Sequence, residues 1–218
     1  MTFEPKLPLA LDTELRYHAA SQLHTFVAGL LGDVSTPELR ALSRILEDAR
    51  YHLRITRDLN TAKDYLRERY ADDPEARFGL IASARDRDLV RFGIPNDWQS
   101  TRRVRYGPWY SSPENDYQGQ SCRLLQTCVT EFGAQGLELD AVLLAWGTDL
   151  IRTDGRWTNA NARGYKRGAK VRNPLQLRIN AYRVLLTRGR DATVVFLPPI
   201  SSLDETFEHL TTTGFSLL

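Results

Sequence analysis

Seven basic side chains lie close together in one polar stretch of the sequence, from Arg152 to Arg172. Asp154 is the only acidic residue there, and Trp157 and Tyr165 are interleaved with the cations. Clustered cations attract a phosphate backbone, and flat aromatic rings stack on bases without sequence preference. Two interpretations of the stretch are therefore open: a solvated polar loop, or contacts with nucleic acid through Arg156, Arg163, Lys166, Arg167 and Lys170.

A second stretch, residues 98–119, mixes arginines with aromatic, glycine, proline and serine residues. Its composition allows the same chemistry, although aromatic residues in loops often pack down as local lids. The residues concerned are Arg102, Arg103, Arg105, Trp98, Tyr106, Trp109 and Tyr110.

The segment Asn173–Gly189 contains three arginines at positions that a helix would present at different points of its surface. Asn173 is a plausible N-cap, proline suits the first helical position, and Gly189 is expected to end the helix. A broad apolar face predicts that the helix packs on a core. Opposite it lies a polar stripe, which predicts either a polar crevice or a solvated face: Gln176, Asn180, Arg183 and Thr187.

The elements that position these residues alternate between apolar runs of strand length and segments with helical spacing. Such alternation predicts an α/β domain of three layers, with a mostly parallel sheet between helices. We predict one domain over residues 1–218, with irregular insertions at about 98–119 and 152–172. The predicted strands are Tyr51–Thr56, Phe78–Ser83, Ala141–Gly147 and Thr193–Pro198, and the predicted helices are Ala20–Leu31, a segment capped at Thr36, Leu59–Tyr70, Pro174–Arg188 and Leu203–Leu210.

Composition excludes several other classes of protein. The net charge is only +2, so bulk charge neither requires nor excludes a nucleic-acid partner. Cys122 and Cys128, which we place in a helix, are too few for a disulfide or zinc framework, and the four histidines show no metal-ligand spacing. We expect no bound metal, no membrane span and a cytoplasmic location.

Three segments resemble motifs of superfamily 1 helicases, and they occur in the right order. Leu11–Leu23 resembles motif IV, Thr130–Val142 (TEFGAQGLELDAV) resembles motif V, and Asn180–Arg190 (NAYRVLLTRGR) resembles motif VI. Nearly the whole chain, from about Leu11 to Leu210, is similar to the C-terminal half of the bacterial family of Schlafen group 3-like DNA/RNA helicases. The resemblance implies the second, RecA-like motor domain of such a helicase.

The resemblance also implies roles for individual residues. Arg183 of motif VI and Arg16 of motif IV would approach the γ-phosphate of ATP, with Arg178 and Arg188 as further candidates. Glu138 would bind the ribose, beside Gly133, Gly136 and Gln135, the last standing where many relatives have lysine. Thr130, Glu131 and Ser83 would face the nucleic-acid backbone.

The sequence lacks the glycine-rich loop ending in Gly-Lys-Ser/Thr and the Asp-Glu pair that hold ATP phosphates and Mg²⁺. Its nearest string, GYKRGAK at Gly164–Lys170, contains no Gly-Lys pair. We therefore expect ATP and Mg²⁺ to be shared with a phosphate-loop domain, in cis or in trans. Alone, the chain should have negligible ATPase activity.

Two functions remain open at this point. The first is the C-terminal motor half of an ATP-dependent helicase or translocase on single-stranded DNA or RNA. The second is a stand-alone, non-catalytic module that binds nucleic acid or a protein. A Schlafen-type nuclease is disfavoured because the acidic residues are dispersed along the chain.

Overall fold

The computed structural model describes residues 20–32, 34–115, 119–165 and 169–218. Helix α1 covers residues 20–30. The helices that follow are α2 (Thr36–Asp48), α3 (Leu59–Arg69), α4 (Trp98–Thr101), α5 (Tyr106–Ser111), α6 (Pro174–Leu186) and α7 (Asp204–Thr213). The strands are β1 (His52–Thr56), β2 (Phe78–Ala82), β3 (Cys128–Thr130), β4 (Leu139–Ala145), β5 (Ile151–Thr153), β6 (Arg156–Thr158), β7 (Gly189–Phe196) and β8 (Ser216–Leu217).

Six of these strands form one sheet in the order β3-β2-β4-β7-β1-β8, and every pairing in it is parallel. Strands β5 and β6 pair separately as an antiparallel hairpin. Because parallel strands point the same way, β3, β2 and β4 end at one edge of the sheet, which we call the carboxyl edge. Open α/β sheets bind ligands preferentially outside that edge.

Side chains of the sheet alternate between two separate cores. Leu53, Ile81 and Leu144 face one core, where residues of α1, α2, α6 and α7 cover the sheet. Leu80, Leu143 and Val194 face the other core, which α3 covers with Ala62 and Leu66. Burial on both faces explains why the strands are continuous apolar runs. The predicted three-layer, RecA-like α/β architecture is confirmed.

Helix α6 runs from the carboxyl edge back toward the start of β7. Asn173 caps it as predicted, since its side chain accepts a hydrogen bond from the Gln176 amide at 3.0 Å. The prediction for its other end is wrong. Thr187 is the C-cap, and Gly189 begins β7, where an added Cβ would collide with the Ala192 carbonyl oxygen.

Other local predictions need correction. Cys128 lies in β3 rather than in a helix, and Cys122 begins a short 3₁₀ turn. Ser35, not Thr36, caps α2, through a capping box with Glu38. The segments predicted as irregular contain α4 and α5 in one case and most of the β5–β6 hairpin in the other. The prediction of a single domain over the whole chain stays a prediction.

Candidate functional site

The turn between β3 and β4 crosses from the carboxyl edge of the sheet back to its amino edge. It closes through hydrogen bonds from the Ala134 amide to the Thr130 carbonyl (2.8 Å) and from the Leu137 amide to the Ala134 carbonyl (3.2 Å). Gly136 has φ +80°, a left-handed conformation that glycine adopts without strain. Thr130 thus lies at one end of the turn and the exposed Glu138 at the other.

Gly133 has a packing role in this turn. A Cβ atom there would overlap the ring of Tyr106, the first residue of α5. The absence of a side chain at position 133 therefore lets an aromatic ring lie directly on the turn.

Arg178 is at the centre of a buried polar network beneath the carboxyl edge. Only 4% of this residue is exposed. Its Nη1 lies 2.8 Å from Ser83 Oγ, 3.1 Å from Glu131 Oε1 and 3.3 Å from Asp149 Oδ2. The second oxygen of Glu131 accepts from the Ala84 amide at 2.8 Å. The network thus ties α6 to the ends of β2 and β3 and to the segment after β4.

Tyr182, one turn after Arg178, completes this network. Its hydroxyl donates to Asp149 Oδ1 at 2.7 Å and accepts from the Gly147 amide at 3.1 Å. The Ser83 hydroxyl donates to the other carboxylate oxygen of Asp149. Asp149 therefore has partners on both of its oxygens.

Electrostatics in the network follow from burial and from the number of carboxylates. Burial raises the pKa of Asp149 to about 6, although the hydrogen bonds from Ser83 and Tyr182 oppose the shift. Burial disfavours the charged form of Arg178, but Glu131 and Asp149 outweigh it and raise the pKa of the guanidinium. The buried Asp86 carboxylate adds to the rise in the pKa of Asp149 and Arg178 opposes it, so a proton on Asp149 is favoured in mildly acidic solution.

Arg188 joins the far end of α6 to the turn that contains Glu138. Its Nε donates to the Val184 carbonyl at 3.1 Å, and its Nη1 lies 3.5 Å from the Ala134 carbonyl and 3.4 Å from the Leu137 carbonyl. The Leu139 amide donates to the Arg188 carbonyl at 2.9 Å. This guanidinium therefore lies against the turn at the amino edge of the sheet.

Arg183 is exposed, halfway between these two arginines along α6. Its Nη1 donates to Asn180 Oδ1 at 3.1 Å, and Asn180 also accepts from Gln176. The predicted polar stripe thus exists as a row of hydrogen-bonded side chains on the exposed side of the helix.

Two pockets lie side by side above the network. One, of about 320 Å³, lies between α6 and the turn, with Gln135, Arg178 and Phe132 in its wall. The other, of about 270 Å³, is lined by Thr130, Arg163, Trp98 and again Phe132. The structure therefore places several predicted nucleic-acid residues around one continuous surface.

The other predicted residues are scattered. Ser83 is fully buried in the network, and Glu131 is only 4% exposed. Arg156 and Lys170 are exposed outside the two pockets. Arg16, Lys166 and Arg167 lie outside the described residues.

Trp157 is a core residue, contrary to its expected role as a stacking ring in the basic stretch. It is stacked on Trp146 with ring centroids 5.6 Å apart, and its Nε1 donates to the Leu30 carbonyl at 3.2 Å. Trp109 is also buried, at 1% exposure. Both rings therefore lie in the core, although cationic residues are close to them in the sequence.

Sequence reasoning missed Asp149, Tyr182, Asn96 and Phe132. A usable signal existed for Asp149, since the Gly-Thr-Asp triplet directly follows the apolar run of β4. In a parallel sheet, polar residues at the carboxyl end of one buried strand lie close to the polar residues that follow the adjacent strands.

Within the described ranges, no group of three His, Cys, Asp or Glu side chains could hold a metal ion. In that same part of the chain, each helix is too short or too polar to span a bilayer.

Comparison with curated proteins gives no match to this sequence. Comparison with protein families agrees with the resemblance seen in the motifs. The model for Schlafen group 3, DNA/RNA helicase domain, matches residues 2–199, which is most of the chain, and the chain therefore belongs to this family of helicase domains.

Proposed function

We propose that the chain is the C-terminal motor half of an ATP-dependent DNA or RNA helicase or translocase. In this proposal it supplies arginine and ribose contacts to an ATP·Mg²⁺ site whose phosphate loop belongs to another domain. The observation that supports it most is the link made by Arg188. Through it, the helix bearing Arg183 and the turn bearing Glu138 are held together at the amino edge of the sheet.

Glu138 and Arg188 at this edge, together with Arg183 in the last turn of α6, suit part of a nucleotide site. The Glu138 carboxylate is exposed and can accept hydrogen bonds from ribose hydroxyls. Arg183 is exposed, and Arg188 touches the turn through contacts of 3.4–3.5 Å, which are long enough to be exchanged for a phosphate. Arginine stays charged and offers a planar fork to phosphate oxygens. The partner domain would provide the groups for Mg²⁺ and the β-phosphate.

Arg178 lies away from the amino edge of the sheet. Ten residues separate it from Arg188, which corresponds to about 15 Å along a helix. Its guanidinium is paired with Glu131 and Asp149 beneath the opposite edge. In the proposed function Arg178 shapes the nucleic-acid side of the domain, while Arg183 and Arg188 serve the nucleotide.

The decisive experiment mixes the full chain with a phosphate-loop domain of the same kind of helicase and measures ATP turnover stimulated by single-stranded nucleic acid. Arg183→Ala and Arg188→Ala are compared with Arg67→Ala, which removes an exposed arginine of α3 that pairs with Asp64 at 3.1 Å. Loss of an arginine that reaches the transferring phosphate should lower turnover by about 10³-fold or more. Arg67→Ala should turn over at the wild-type rate.

Two outcomes would contradict the proposal. One is stimulated turnover that survives both substitutions, and the other is ATP hydrolysis by the isolated chain that Arg183→Ala abolishes. Tight nucleic-acid binding, with no stimulated turnover in any mixture, would favour the stand-alone binding module.

A further inference from the structure

Three large aromatic side chains are exposed together at the carboxyl edge. Trp98 is 67% exposed, Phe132 64% and Tyr106 44%. They come from three segments, the starts of α4 and α5 and the turn after β3, and all three line the pocket of about 270 Å³. We call them the aromatic patch. Exposed apolar groups that converge from separate segments mark binding sites more often than isolated ones do.

Local contacts define the positions from which two rings of the patch project. The Asp97 side chain caps α4 by accepting from the Gln99 amide at 2.9 Å and the Ser100 amide at 3.1 Å, which fixes the start of the helix at Trp98. The Tyr106 ring rests on Gly133. A platform whose rings are already positioned loses little conformational entropy when a ligand binds.

The charged side chains that line this pocket are all cationic. Arg102 lies over the Trp98 ring, with its Cζ 4.6 Å from the ring centroid, and Arg163 lines the same pocket. Among the wall residues that the structure describes, none is acidic. Cationic groups beside exposed aromatic rings match a ligand with both bases and phosphates.

One residue of the pocket wall carries a buried, unpartnered acceptor. Asn96 lines it and is 1% exposed. Its Nδ2 donates to the Ser83 carbonyl at 2.9 Å and the Asp86 carbonyl at 3.4 Å, so the amide orientation is set. Its Oδ1 has no hydrogen-bond partner among the described residues. A buried acceptor without a partner is costly, and a ligand N–H would satisfy it.

The neighbouring pocket continues the surface across Phe132. Arg85 lies over the Tyr165 ring there, with its Cζ 4.2 Å from the centroid. In the described part of the chain, the Tyr165 hydroxyl and Arg178 Nε are buried without partners. Both residues line this second pocket. An extended ligand could therefore pass from one pocket to the next.

We propose that the aromatic patch is a base-stacking subsite for single-stranded nucleic acid. This inference rests on the proposed function, because it names the surface on which the strand would bind. One base stacks among Trp98, Phe132 and Tyr106, and Asn96 Oδ1 accepts from an N–H on its edge. Arg102 and Arg163 lie beside the phosphates. All four natural bases have such an N–H group, so the subsite needs no particular sequence.

The test measures, by fluorescence anisotropy at constant salt, the binding of the full chain to a labelled single-stranded nucleic acid of 12 nucleotides. Trp98→Ala and Phe132→Ala should each weaken binding about ten-fold, the scale of one stacked base. Ile45→Ala is the matched control. It removes an apolar side chain that is 46% exposed on α2, a helix that packs on β1, three strands away from β2 in the sheet. This variant should bind like the wild type.

A strand with abasic sites separates stacking from a general structural effect. Wild-type protein should bind it more weakly, and Trp98→Ala should cause almost no further loss on it. Equal losses on normal and abasic strands would overturn the proposal. So would wild-type affinity of both alanine variants for the normal strand, which would assign the patch to another partner such as a protein.

Failure of this inference and failure of the proposed function are distinguishable. If the chain binds single strands but the patch variants do not matter, only the subsite is wrong. If the patch variants weaken binding but no phosphate-loop domain restores ATP turnover, the subsite stands and the motor role is wrong.

Discussion

The two ends of helix α6 contrast sharply in chemistry. Toward the carboxyl edge of the sheet, Arg178 and Tyr182 of this helix are buried in a network with two carboxylates, beneath a surface of exposed rings and cations. At the amino edge, Arg188 follows the C-cap of the helix and lies on backbone carbonyls of the turn that contains the exposed Glu138. One helix thus connects a proposed nucleic-acid surface with a proposed nucleotide surface.

Burial, rather than residue type, decides what an arginine of helix α6 does. Arg178 and Arg183 are five residues apart, yet one is 4% exposed and ion-paired and the other is exposed with one contact to Asn180. A buried arginine must keep its partners to remain stable, whereas an exposed one is available to a ligand. Rigid coupling between the two ends is what a motor domain would need.

The largest expected effect concerns Arg178. Arg178→Ala should lower the free energy of unfolding by about 3–5 kcal/mol, because it leaves Glu131 and Asp149 without their buried counter-charge. Arg183→Ala should change it by less than about 0.5 kcal/mol, since that residue is exposed. Urea unfolding of both variants checks this. Equal free energies of unfolding for Arg178→Ala and Arg183→Ala would contradict the different roles described for the two arginines.

The next effect concerns pH. The pKa of Asp149 is raised from 3.8 to about 6 in the folded protein, so folded molecules bind a proton there that unfolded molecules have lost. The contribution of Asp149 to stability is therefore greatest below pH 4 and falls as the pH rises toward 6. Over this window, the wild type should lose about 2–3 kcal/mol of unfolding free energy relative to Asp149→Asn.

At each pH, the free energy of unfolding of Asp149→Asn must be subtracted from that of the wild type. Other carboxylates shift in the opposite direction, and one example is Asp97, whose pKa is lowered mainly by its hydrogen bond with Ser100. Parallel pH profiles of the wild type and Asp149→Asn would show that the network does not hold Asp149 as described.

The smallest effect concerns the turn. Gly133→Ala places a Cβ on the Tyr106 ring, which is at the surface and can swing aside. The free energy of unfolding should therefore change by less than about 1 kcal/mol, while affinity for single strands should fall several-fold because the patch loses a ring. Gly107→Ala is the control, since a Cβ there meets nothing within 4 Å. Unchanged affinity in Gly133→Ala would remove Tyr106 from the proposed subsite.

The class of fold follows from the apolar pattern of the sequence. Apolar runs such as those of β2 and β4 are buried on both faces, a pattern that only a sheet between two helical layers satisfies. Local chemistry also predicted the cap at Asn173. Strand β3, with three residues, is too short to show a periodicity, so its position was not predictable.

Which polar side chains meet depends on the order of the strands in the sheet. The sequence indicates that Asp149 follows β4, but it does not identify Ser83, Glu131 and Arg178 as its partners. Parallel pairing of β2 with β3 and β4 brings these distant segments together. The basic stretch illustrates the opposite error, since Trp157 is adjacent in sequence to cations but packs on Trp146 in the core. Residue types specified the available chemistry, and the order of the strands specified where that chemistry could act.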